Sequence, residues 1–300
     1  MYPRFFTAAL LAAFTLAAAA QSTTPRPKIT GISHLAVYTS DAAATDHFYV
    51  KTIGAAKLPD PENPKGVRYA VSPTQYIEVL PLPTGTGINR LDHTAWNTES
   101  AEGMRKYLAA HSWKVPAKVE KGADGSRWFA VTDPEGNKVE FVQPPVHPAA
   151  IDAPSAIGRH IMHVGYMVHD RAAEDKFYKD LLGFRFLWQG GPRDDRLDWI
   201  SYLTPDGDNW VEYMVQHEGP PNPKQLGVWH HVCLGTLDIQ AVYKTVMDRG
   251  YTPPNAPGIN ARDGRWLLQL YDKNGTRTEI MVRKPVQKPC CSENADPYIK

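Results

Sequence analysis

Residues 90–143 hold the pattern that decides the fold. They begin with Leu91-Asp92-His93-Thr94-Ala95-Trp96 and end with Asp133-Pro134-Glu135-Gly136-Asn137-Lys138-Val139-Glu140. Residues 99–111, between these runs, have a helical pattern, and residues 127–142 predict two strands joined by a tight Asp-Pro-Glu-Gly turn. A histidine therefore lies on the first strand and a glutamate on the last, 47 residues later.

The same layout occurs three more times along the chain, which indicates an internal repeat. In every copy a histidine in a short apolar run is followed, 44 to 49 residues later, by a glutamate in another apolar run. The four pairs are His34 and Glu78, His93 and Glu140, His163 and Glu212, and His231 and Glu279. Each unit reads as a strand, a helix and two or three strands. Weak apolar patterns at residues 56–58, 115–119 and 184–188 add a strand, which gives a βαβββ module.

Proline-rich connections separate the modules, which we place at residues 29–83, 88–144, 158–217 and 227–284. Residues 145–157 form a linker, residues 219–224 a second connection and residues 285–300 a polar tail. The other predicted helices span residues 41–53, 170–183 and 238–249, each starting at an aspartate and stopped by a glycine. One module is too small to bury the inner face of a curled sheet, so the modules should pair. We expect an α+β fold with two open curled-sheet barrels, at residues 29–144 and 158–284.

Strand alternation predicts that the four histidines face the inside of these barrels. The residue two positions after each histidine shares its face and is small in every case: Ala36, Ala95, Gly165 and Cys233. On the fourth strand, Trp229 is expected on the same face as His231. A histidine that faces an open pocket needs such small neighbours, whereas a packed core does not.

The four glutamates lie on apolar strands, Glu78 for example between Ile77 and Val79. Burying an ionised carboxylate is costly unless it is paired or bound to a metal. If two modules meet about a pseudo-two-fold axis, each contributes one imidazole and one carboxylate to the same point. Two nitrogens and two oxygens suit a divalent transition metal such as Zn, Ni, Fe(II), Mn or Co. The sequence therefore predicts one or two metal ions per chain.

The N-terminus has the features of an export signal. Arg4 precedes an apolar run at residues 5–20 that ends in Ala18-Ala19-Ala20, a small-residue cleavage pattern. About sixteen apolar residues, many of them alanine, are short for a membrane span. We therefore expect a periplasmic or secreted protein cleaved near Ala20, with a disordered lead-in at residues 21–28 and no membrane contact after cleavage.

Charge and cysteine content narrow the function classes further. Lys and Arg number 33 against 32 Asp and Glu, and a nearly neutral chain without basic clusters argues against nucleic acid as a partner. Cys290 and Cys291 are adjacent in the polar tail; they can pair, but we expect the tail to be dispensable. The three cysteines have no Cys-x-x-Cys spacing, which excludes a structural zinc site built from thiolates.

The chain resembles the vicinal oxygen chelate superfamily, which includes glyoxalase I, extradiol ring-cleaving dioxygenases and bleomycin-resistance proteins. The resemblance rests on residues 32–37, 91–96, 161–166 and 229–234 and on the octet at residues 133–140. It implies the ligands His34, Glu78, His93 and Glu140 for one half, and His163, Glu212, His231 and Glu279 for the other. In several members the paired modules are exchanged within or between chains. The first module could thus pair with the fourth, and a homodimer is one of the arrangements that the resemblance allows.

The resemblance implies a small-molecule substrate with adjacent oxygens and, in its glyoxalase-like form, Lewis-acid catalysis of proton transfer through an enediolate. A ligand glutamate would act as the base, with Glu140 and Glu279 favoured over Glu78 and Glu212. An exported enzyme would not meet cytoplasmic glutathione thioesters, so the substrate is expected to differ from that of glyoxalase proper.

Two alternatives remain open from sequence. An Fe(II) extradiol dioxygenase would use His163, His231 and Glu279, but Tyr271-Asp272-Lys273-Asn274-Gly275 lacks the proline of the dioxygenase signature. A sequestering protein of the bleomycin-resistance kind typically loses the metal residues, whereas this chain keeps all eight. Arg68, Arg127 and Arg265 could clamp a substrate carboxylate, but we expect all three to lie at solvated strand ends. His230 should point away from the pocket, because it precedes His231 on the same strand.

Overall fold

The computed structural model describes residues 24–84, 90–151, 153–219, 222–260 and 262–299. Within these ranges the chain forms four βαβββ modules, as predicted. The first half contains β1 (Ile29–Thr39), α1 (Ala42–Asp46, continued by a π-helical segment, His47–Ile53), β2 (Ala56–Pro59), β3 (Val67–Ser72), β4 (Gln75–Pro81), β5 (Leu91–Thr98), α2 (Ala101–Ala110), β6 (Glu120–Lys121), β7 (Arg127–Thr132) and β8 (Lys138–Gln143).

The second half repeats this order, with one additional helix between its two modules. It contains β9 (Ile161–Val168), α3 (Arg171–Asp175, continued by a π-helical segment, Lys176–Leu181), β10 (Arg185–Gly190), β11 (Trp199–Leu203), β12 (Trp210–Val215), α4 (Pro223–Trp229), β13 (His231–Thr236), α5 (Ile239–Asp248), β14 (Gly258–Ile259), β15 (Trp266–Tyr271) and β16 (Arg277–Val282).

Three module helices begin where the sequence predicts, and α2 begins at Ala101, two residues after its predicted start at Glu99. The side chains of Asp41, Ser100, Asp170 and Asp238 each accept a hydrogen bond from a backbone N–H of the first turn. Such caps satisfy donors that have no partner inside the helix. Gly54 ends the first helical segment in the left-handed conformation, with φ of 81°. The π-helical turns that follow α1 and α3 have no sequence signal that we could identify.

Each half forms one eight-stranded sheet, in the orders β2-β3-β4-β1-β5-β8-β7-β6 and β10-β11-β12-β9-β13-β16-β15-β14. The first strand of each module runs parallel to its last strand, and the two first strands meet antiparallel at the centre of the sheet. Consecutive modules therefore share a sheet, and the exchange of the first module with the fourth does not occur. The predicted fold class is confirmed.

The two faces of each sheet differ in chemistry. One face packs against the helices and forms a continuous apolar core that includes Leu35, Trp96, Tyr166 and Phe177. The opposite, concave face carries the repeated histidines and glutamates. Successive side chains of a strand point to opposite faces. The same strands therefore contribute apolar residues to the core on one face and polar residues to the cluster on the other.

Two amides fix the halves to each other in a nearly symmetric way. The Gln75 side chain accepts a hydrogen bond from the Ile161 backbone N–H (2.8 Å) and donates to its carbonyl oxygen (3.2 Å). The Asn209 side chain accepts a hydrogen bond from the backbone N–H of Ile32 at 2.7 Å. Each amide directly precedes the aromatic residue that lies two positions before the first glutamate of its half. The hydrogen bonds link the central strands of the two sheets.

Two local predictions are wrong. Residues 219–224 were expected to be a connection only, but part of them belongs to α4, which a capping box between Asn222 and Gln225 begins. Trp229 therefore ends a helix instead of sharing a strand face with His231. The short strand of the second module lies at Glu120–Lys121, after the apolar pattern at residues 115–119 that suggested it.

The C-terminal tail is hydrogen-bonded to the second half, and its dispensability stays a prediction. The Cys290 N–H donates to the Arg262 carbonyl, and the Ala295 N–H donates to the Leu187 carbonyl. Leu187 lies on edge strand β10, and Arg262 lies beside the opposite edge, so the tail connects both edges of the curled sheet. Cys290 and Cys291 form a disulfide with each other, which is the alternative that the sequence had left open.

None of the described helices is both long enough and apolar enough to cross a membrane. The predicted export signal at residues 1–20 lies outside the described residues.

Candidate metal centres

Four predicted residues of the first half meet on the concave face of its sheet; we call them the first cluster. The Nε2 atoms of His34 and His93 are 2.8 Å apart. Glu78 Oε2 lies 3.6 Å from the His34 nitrogen and 3.4 Å from the His93 nitrogen. Glu140 Oε2 lies 2.9 Å from His93 Nε2. All four side chains are buried, so two imidazoles and two carboxylates share one water-poor site.

The sheet register explains how these residues converge. His93 lies opposite Ala36 in the antiparallel pair of central strands, and His34 lies opposite Ala95. The same two alanines lie opposite Glu78 and Glu140 in the parallel pairs. The small residue two positions after each histidine thus leaves space for the imidazole of the neighbouring module, as the sequence pattern suggested.

The first cluster is supported by polar residues that sequence reasoning missed. His93 Nδ1 lies 2.5 Å from Asp92 Oδ2, which also pairs with Lys138 Nζ at 2.5 Å. The Tyr38 hydroxyl donates to the other oxygen of Asp92. Asp92 thereby orients His93, as carboxylates commonly orient metal-binding histidines. It could have been found from sequence as the residue directly before the histidine.

The two imidazoles of the first cluster differ in their electrostatics. Burial, followed by the proximity of His93, holds the pKa of His34 well below its usual value. Burial also opposes the charging of His93, but Glu140 and Asp92 outweigh it and raise the pKa of His93 to about 9. Burial raises the pKa of Glu78 to about 9. Of the two imidazoles, His93 therefore binds a proton much more readily than His34, because carboxylates surround it.

A third carboxylate, Glu62, joins the first cluster from the loop between β2 and β3. One ligand atom each from His34, Glu62 and Glu140 lie within 4.8 Å of one another. Arg68 Nη2 donates to Glu62 Oε1 at 2.6 Å, and burial and Glu140 raise the pKa of Glu62 to about 8. Nothing in the repeat pattern indicates Glu62, because it lies outside the repeated strands.

The corresponding residues of the second half form the second cluster. The Nε2 atoms of His163 and His231 are 3.0 Å apart. Glu279 Oε2 lies 3.4 Å from both nitrogens. Glu212 Oε2 lies 3.9 Å from His163 Nε2 and 3.5 Å from His231 Nε2. His163, His231 and Glu279 therefore form a compact group, and Glu212 lies beside it.

The outer contacts of the second cluster are different. Arg277 Nη1 lies 3.4 Å from Glu279 Oε1, and Gln269 Nε2 donates to the same oxygen at 3.4 Å. Arg277 also approaches Nδ1 of His231 at 2.7 Å. Despite burial, Arg277 and His231 hold the pKa of Glu279 well below its usual value. A cation thus supports this cluster at the strand position that Lys138 occupies in the first half.

In each cluster an aromatic residue, two positions before the first glutamate of that half, stacks on one of the histidines. Tyr76 stacks on His34 with ring centroids 4.4 Å apart, and Trp210 stacks on His163 at 4.9 Å. The Arg68 guanidinium lies 4.0 Å from the centre of the Tyr76 ring. These rings fix the plane of one imidazole in each half. The repeated aromatic-x-Glu pattern could have revealed them from sequence.

The donor sets fit a divalent metal ion. Two nitrogen ligands bound at right angles, each about 2.1 Å from one ion, lie roughly 3.0 Å apart, close to the 2.8 Å and 3.0 Å found here. Glu78 Oε2 and Glu140 Oε1 are buried without a hydrogen-bond partner, which is costly unless a cation satisfies them. His34, His93, Glu78 and Glu140 would hold one ion, and His163, His231, Glu212 and Glu279 the other.

The two clusters differ in their access to a cavity. Glu212 and Glu279 line a cavity of about 310 Å³ in the second half, together with the aromatic residues Trp188, Trp199, Trp229 and Tyr271. In the first half a cavity of about 610 Å³ is lined by Glu62, Arg68 and Tyr76 and by linker residues such as Pro144 and His147. Glu62 and Tyr76 therefore stand between the larger cavity and the first cluster.

The arginines expected at solvated strand ends behave differently from one another. Arg127 is exposed as predicted, whereas Arg68 and Arg265 are buried, which contradicts the prediction. Arg68 pairs with Asp60 at 3.1 Å and with Glu62, and Arg265 lies 5.5 Å from the Trp210 ring centre. His230 is buried near Tyr166, away from the cluster, in agreement with its predicted direction.

Paired curled sheets of βαβββ modules, each with two histidines and two glutamates on its concave face, define a class of metal-binding folds, and comparison with known proteins identifies it. Sequence models of the Glyoxalase/Bleomycin resistance protein/Dioxygenase superfamily match residues 31–141 and residues 162–266. Together these matches cover more than two thirds of the chain. The chain belongs to this superfamily, the vicinal oxygen chelate superfamily, in a two-domain form.

Individual relatives are distant. A lactoylglutathione lyase of Arabidopsis thaliana is 22% identical over 142 residues, which are 47% of this chain and 50% of that protein. The chain thus matches half the length of this curated relative. The Mn(II)-bound glyoxalase of Novosphingobium aromaticivorans is similar in structure, with a TM-score of 0.66, 17% identity, and coverage of 85% of this chain and 83% of that one.

Dioxygenases share the fold to the same degree. The 2,3-dioxygenase LapB of Pseudomonas sp. KL28 has a TM-score of 0.65 and 15% identity, with coverage of 88% of this chain and 97% of that one. Homoprotocatechuate 2,3-dioxygenase of Brevibacterium fuscum has a TM-score of 0.65 and 15% identity, with coverage of 93% and 86%. At such identities the likeness establishes the fold, and the reaction has to be argued from the site.

Proposed function

We propose that the chain is a divalent-metal-dependent enzyme of the glyoxalase type. It would move a proton between neighbouring carbon atoms of a small substrate that carries two adjacent oxygens. The observation that carries this proposal is the second cluster, where two imidazoles and two carboxylates converge at the wall of a cavity. When bound there, a divalent ion supplies Lewis acidity that polarises a substrate carbonyl and acidifies the adjacent C–H bond.

Glu212 is the better placed of the two carboxylates to act as the base. Its side chain is 17% exposed, against 6% for Glu279, and its oxygen lies farther from the imidazoles. Glu279 is held by Arg277 and Gln269 through its other oxygen. A base must approach the substrate carbon, take its proton and return it to the neighbouring carbon, which needs the freer carboxylate. Geometry thus favours Glu212 over the sequence candidates Glu140 and Glu279.

The cavity residues support the same chemistry. Trp188, Trp199 and Trp229 give the cavity apolar walls, which exclude water and strengthen the interaction of charged groups with the substrate. Arg277 and Gln269 keep Glu279 in place while Glu212 moves. A cavity of about 310 Å³ is at the small end of ligand pockets, so it suits a small substrate.

The experiment is metal-dependent exchange of the carbon-bound proton of 2-hydroxycarbonyl compounds, followed by NMR in deuterated water. Glu212→Gln should lower the exchange rate by a factor of roughly 10² to 10⁴, the usual contribution of a general base. Glu279→Gln should mainly weaken metal binding, and Glu218→Gln, at an exposed site nearby, should change neither. An unchanged exchange rate in both Glu212→Gln and Glu279→Gln would rule out proton transfer by these residues.

A second candidate function is ring cleavage by an Fe(II) extradiol dioxygenase. It is favoured by the closeness of His163, His231 and Glu279, whose ligand atoms form a compact group of three, the two-histidine, one-carboxylate set of non-haem iron enzymes. Glu212→Ala separates the candidates. A dioxygenase would keep its iron and its oxygen uptake with catechols, whereas the glyoxalase-type enzyme would lose its activity.

We also propose that the protein is exported, on the strength of the signal-like residues 1–20. The substrate would then be a compound found outside the cytoplasm, and not a glutathione thioester. Mass spectrometry of the chain from the culture medium or the periplasm should show a mature N-terminus at Gln21. Retention of Met1 in a cytoplasmic protein would contradict export.

A further inference from the structure

We infer that Glu62 is a fifth protein ligand of the first centre and closes it to substrate, so that the two centres have different roles. The inference rests on the metal binding that is part of the proposed function. Glu62 lies outside the repeated pattern, in the loop at residues 60–66 that reaches the first cluster.

The position of Glu62 is that of a ligand. Its carboxylate has an oxygen within 4.8 Å of ligand atoms of both His34 and Glu140, and its side chain is only 6% exposed. Two buried carboxyl groups in contact either share a proton or hold a cation between them, and a metal ion would displace that proton. Glu140 Oε1 and Glu78 Oε2 are buried and lack hydrogen-bond partners, which independently indicates a cation at this point.

The loop that carries Glu62 is held in place on several sides. Asp60 Oδ1 accepts hydrogen bonds from the Glu62 N–H at 2.9 Å and from Arg68 Nε at 3.1 Å. Arg68 Nη2 donates to Glu62 at 2.6 Å while its guanidinium covers the Tyr76 ring. These partners therefore hold the Glu62 carboxylate in its position beside the cluster.

The second half lacks this device in the residues that the structure describes. The residue facing Glu212 across the ladder is Ser201, whereas Arg68 faces Glu78. In the corresponding loop, at residues 191–198, Asp194 pairs with Arg262 and Asp195 with Arg193 at the surface. The second cluster keeps two carboxylates at the wall of its cavity. Asp263, in the loop between β14 and β15, lines the same cavity but pairs with Arg265 and, among the described residues, forms no compact group with the ligand atoms of the cluster.

The number of ligands decides the consequence. Ions such as Mn(II), Co(II) and Ni(II) commonly accept six ligands. Five protein ligands leave one position, and a substrate with two adjacent oxygens needs two. Four protein ligands leave two of the six positions free, which is enough for such a substrate. The first centre would thus be structural or regulatory, and the second would take the substrate.

The test measures Mn(II) binding at the first centre alone. In the full chain carrying His163→Ala and His231→Ala, the second centre is removed, and the dissociation constant is read from the electron paramagnetic resonance signal of free Mn(II). Adding Glu62→Gln should weaken binding at least tenfold, whereas Asp124→Asn, at another carboxylate 3.6 Å from Arg68, should change it less than threefold. Thermal unfolding of the metal-free proteins verifies that the variants fold.

A second readout follows the free coordination positions directly. Replacing Glu62 by Ala should add exchangeable water at bound Mn(II) and raise the water-proton relaxation rate about twofold, since one water position becomes two. Binding and relaxation rate that are both unchanged by the Glu62 substitutions would overturn the inference and leave the proposed function standing. A background protein that binds no Mn(II) would overturn the inference together with the first metal centre.

Discussion

The two halves of the molecule carry the same four ligand residues in the same sheet register, but they surround them differently. In the first half Asp92, Lys138 and Glu62 enclose the cluster, and a tyrosine and a loop separate it from the nearest cavity. In the second half Arg277 and Gln269 contact Glu279, and both Glu279 and Glu212 line an aromatic cavity. The repeat thus preserves a set of residues that fits a metal ion, and we propose that the loops decide whether a substrate can reach it.

The largest expected difference concerns activity. His163→Ala should lower the rate of the metal-dependent reaction at least about 10³-fold, because it removes a ligand of the ion that supplies Lewis acidity. The equivalent change in the first half, His34→Ala, should lower the rate by less than about tenfold at temperatures below unfolding. Steady-state kinetics of both variants, with thermal unfolding as the control, measures the difference.

Equal losses in these two variants would mean that both centres catalyse. A loss confined to His34→Ala would place the reaction in the first half and reverse the comparison.

A smaller difference is expected at the residues that make room for the imidazoles. A methyl group added at Gly165 would come within 2.0 Å of His231 Cε1, so Gly165→Ala must push the ring away from its cluster. We expect metal affinity of the second centre to fall about 10- to 100-fold, the range seen when ligand orientation is disturbed. The matched change, Ala36→Gly opposite His93, only creates space and should leave affinity within about threefold.

Isothermal titration with Mn(II) would measure both proteins. Normal affinity in Gly165→Ala would indicate that His231 is not held in the position described here.

The smallest effect concerns the contacts between the halves. Glu174 on α3 is buried, and burial and Asp133 raise its pKa to about 9; the equivalent residue on α1 is the uncharged Thr45. The folded state binds the Glu174 proton more tightly than the unfolded state, whose carboxyl has its ordinary pKa near 4.5. The free energy of unfolding should therefore fall as the pH rises from about 4.5 to 9, by roughly 1–3 kcal/mol.

Urea unfolding at several pH values would reveal this slope, and Glu174→Gln should flatten it. A variant with the same slope as the original chain would show that another group is responsible.

The sequence predicted the parts of the site that the repeat specifies. The spacing from His34 to Glu78 and its three equivalents fixes strand, face and register, because strand alternation is strict. The small residues at 36, 95, 165 and 233 fix the direction of the histidines. Both the fold class and the meeting of each set of four follow from these patterns.

The sequence could not predict what the connections contribute. Glu62 and α4 lie in segments without a repeated counterpart. The tail is held by backbone hydrogen bonds and by contacts outside the repeat, such as the ion pair between Asp296 and Arg283. Asp92, Tyr76 and Trp210 do have positions fixed relative to the ligands. Their roles depend on which neighbour they touch, and this is decided by packing between strands distant in the sequence.

We propose that each half binds one divalent ion through at least two histidines and two glutamates. The most direct measurement is metal analysis of the purified mature chain after saturation with Mn(II) and removal of unbound ion, expressed as equivalents per chain. We expect about two equivalents, falling to about one in His163→Ala/His231→Ala. A chain that binds no metal, or whose bound metal is unaffected by those substitutions, would contradict it.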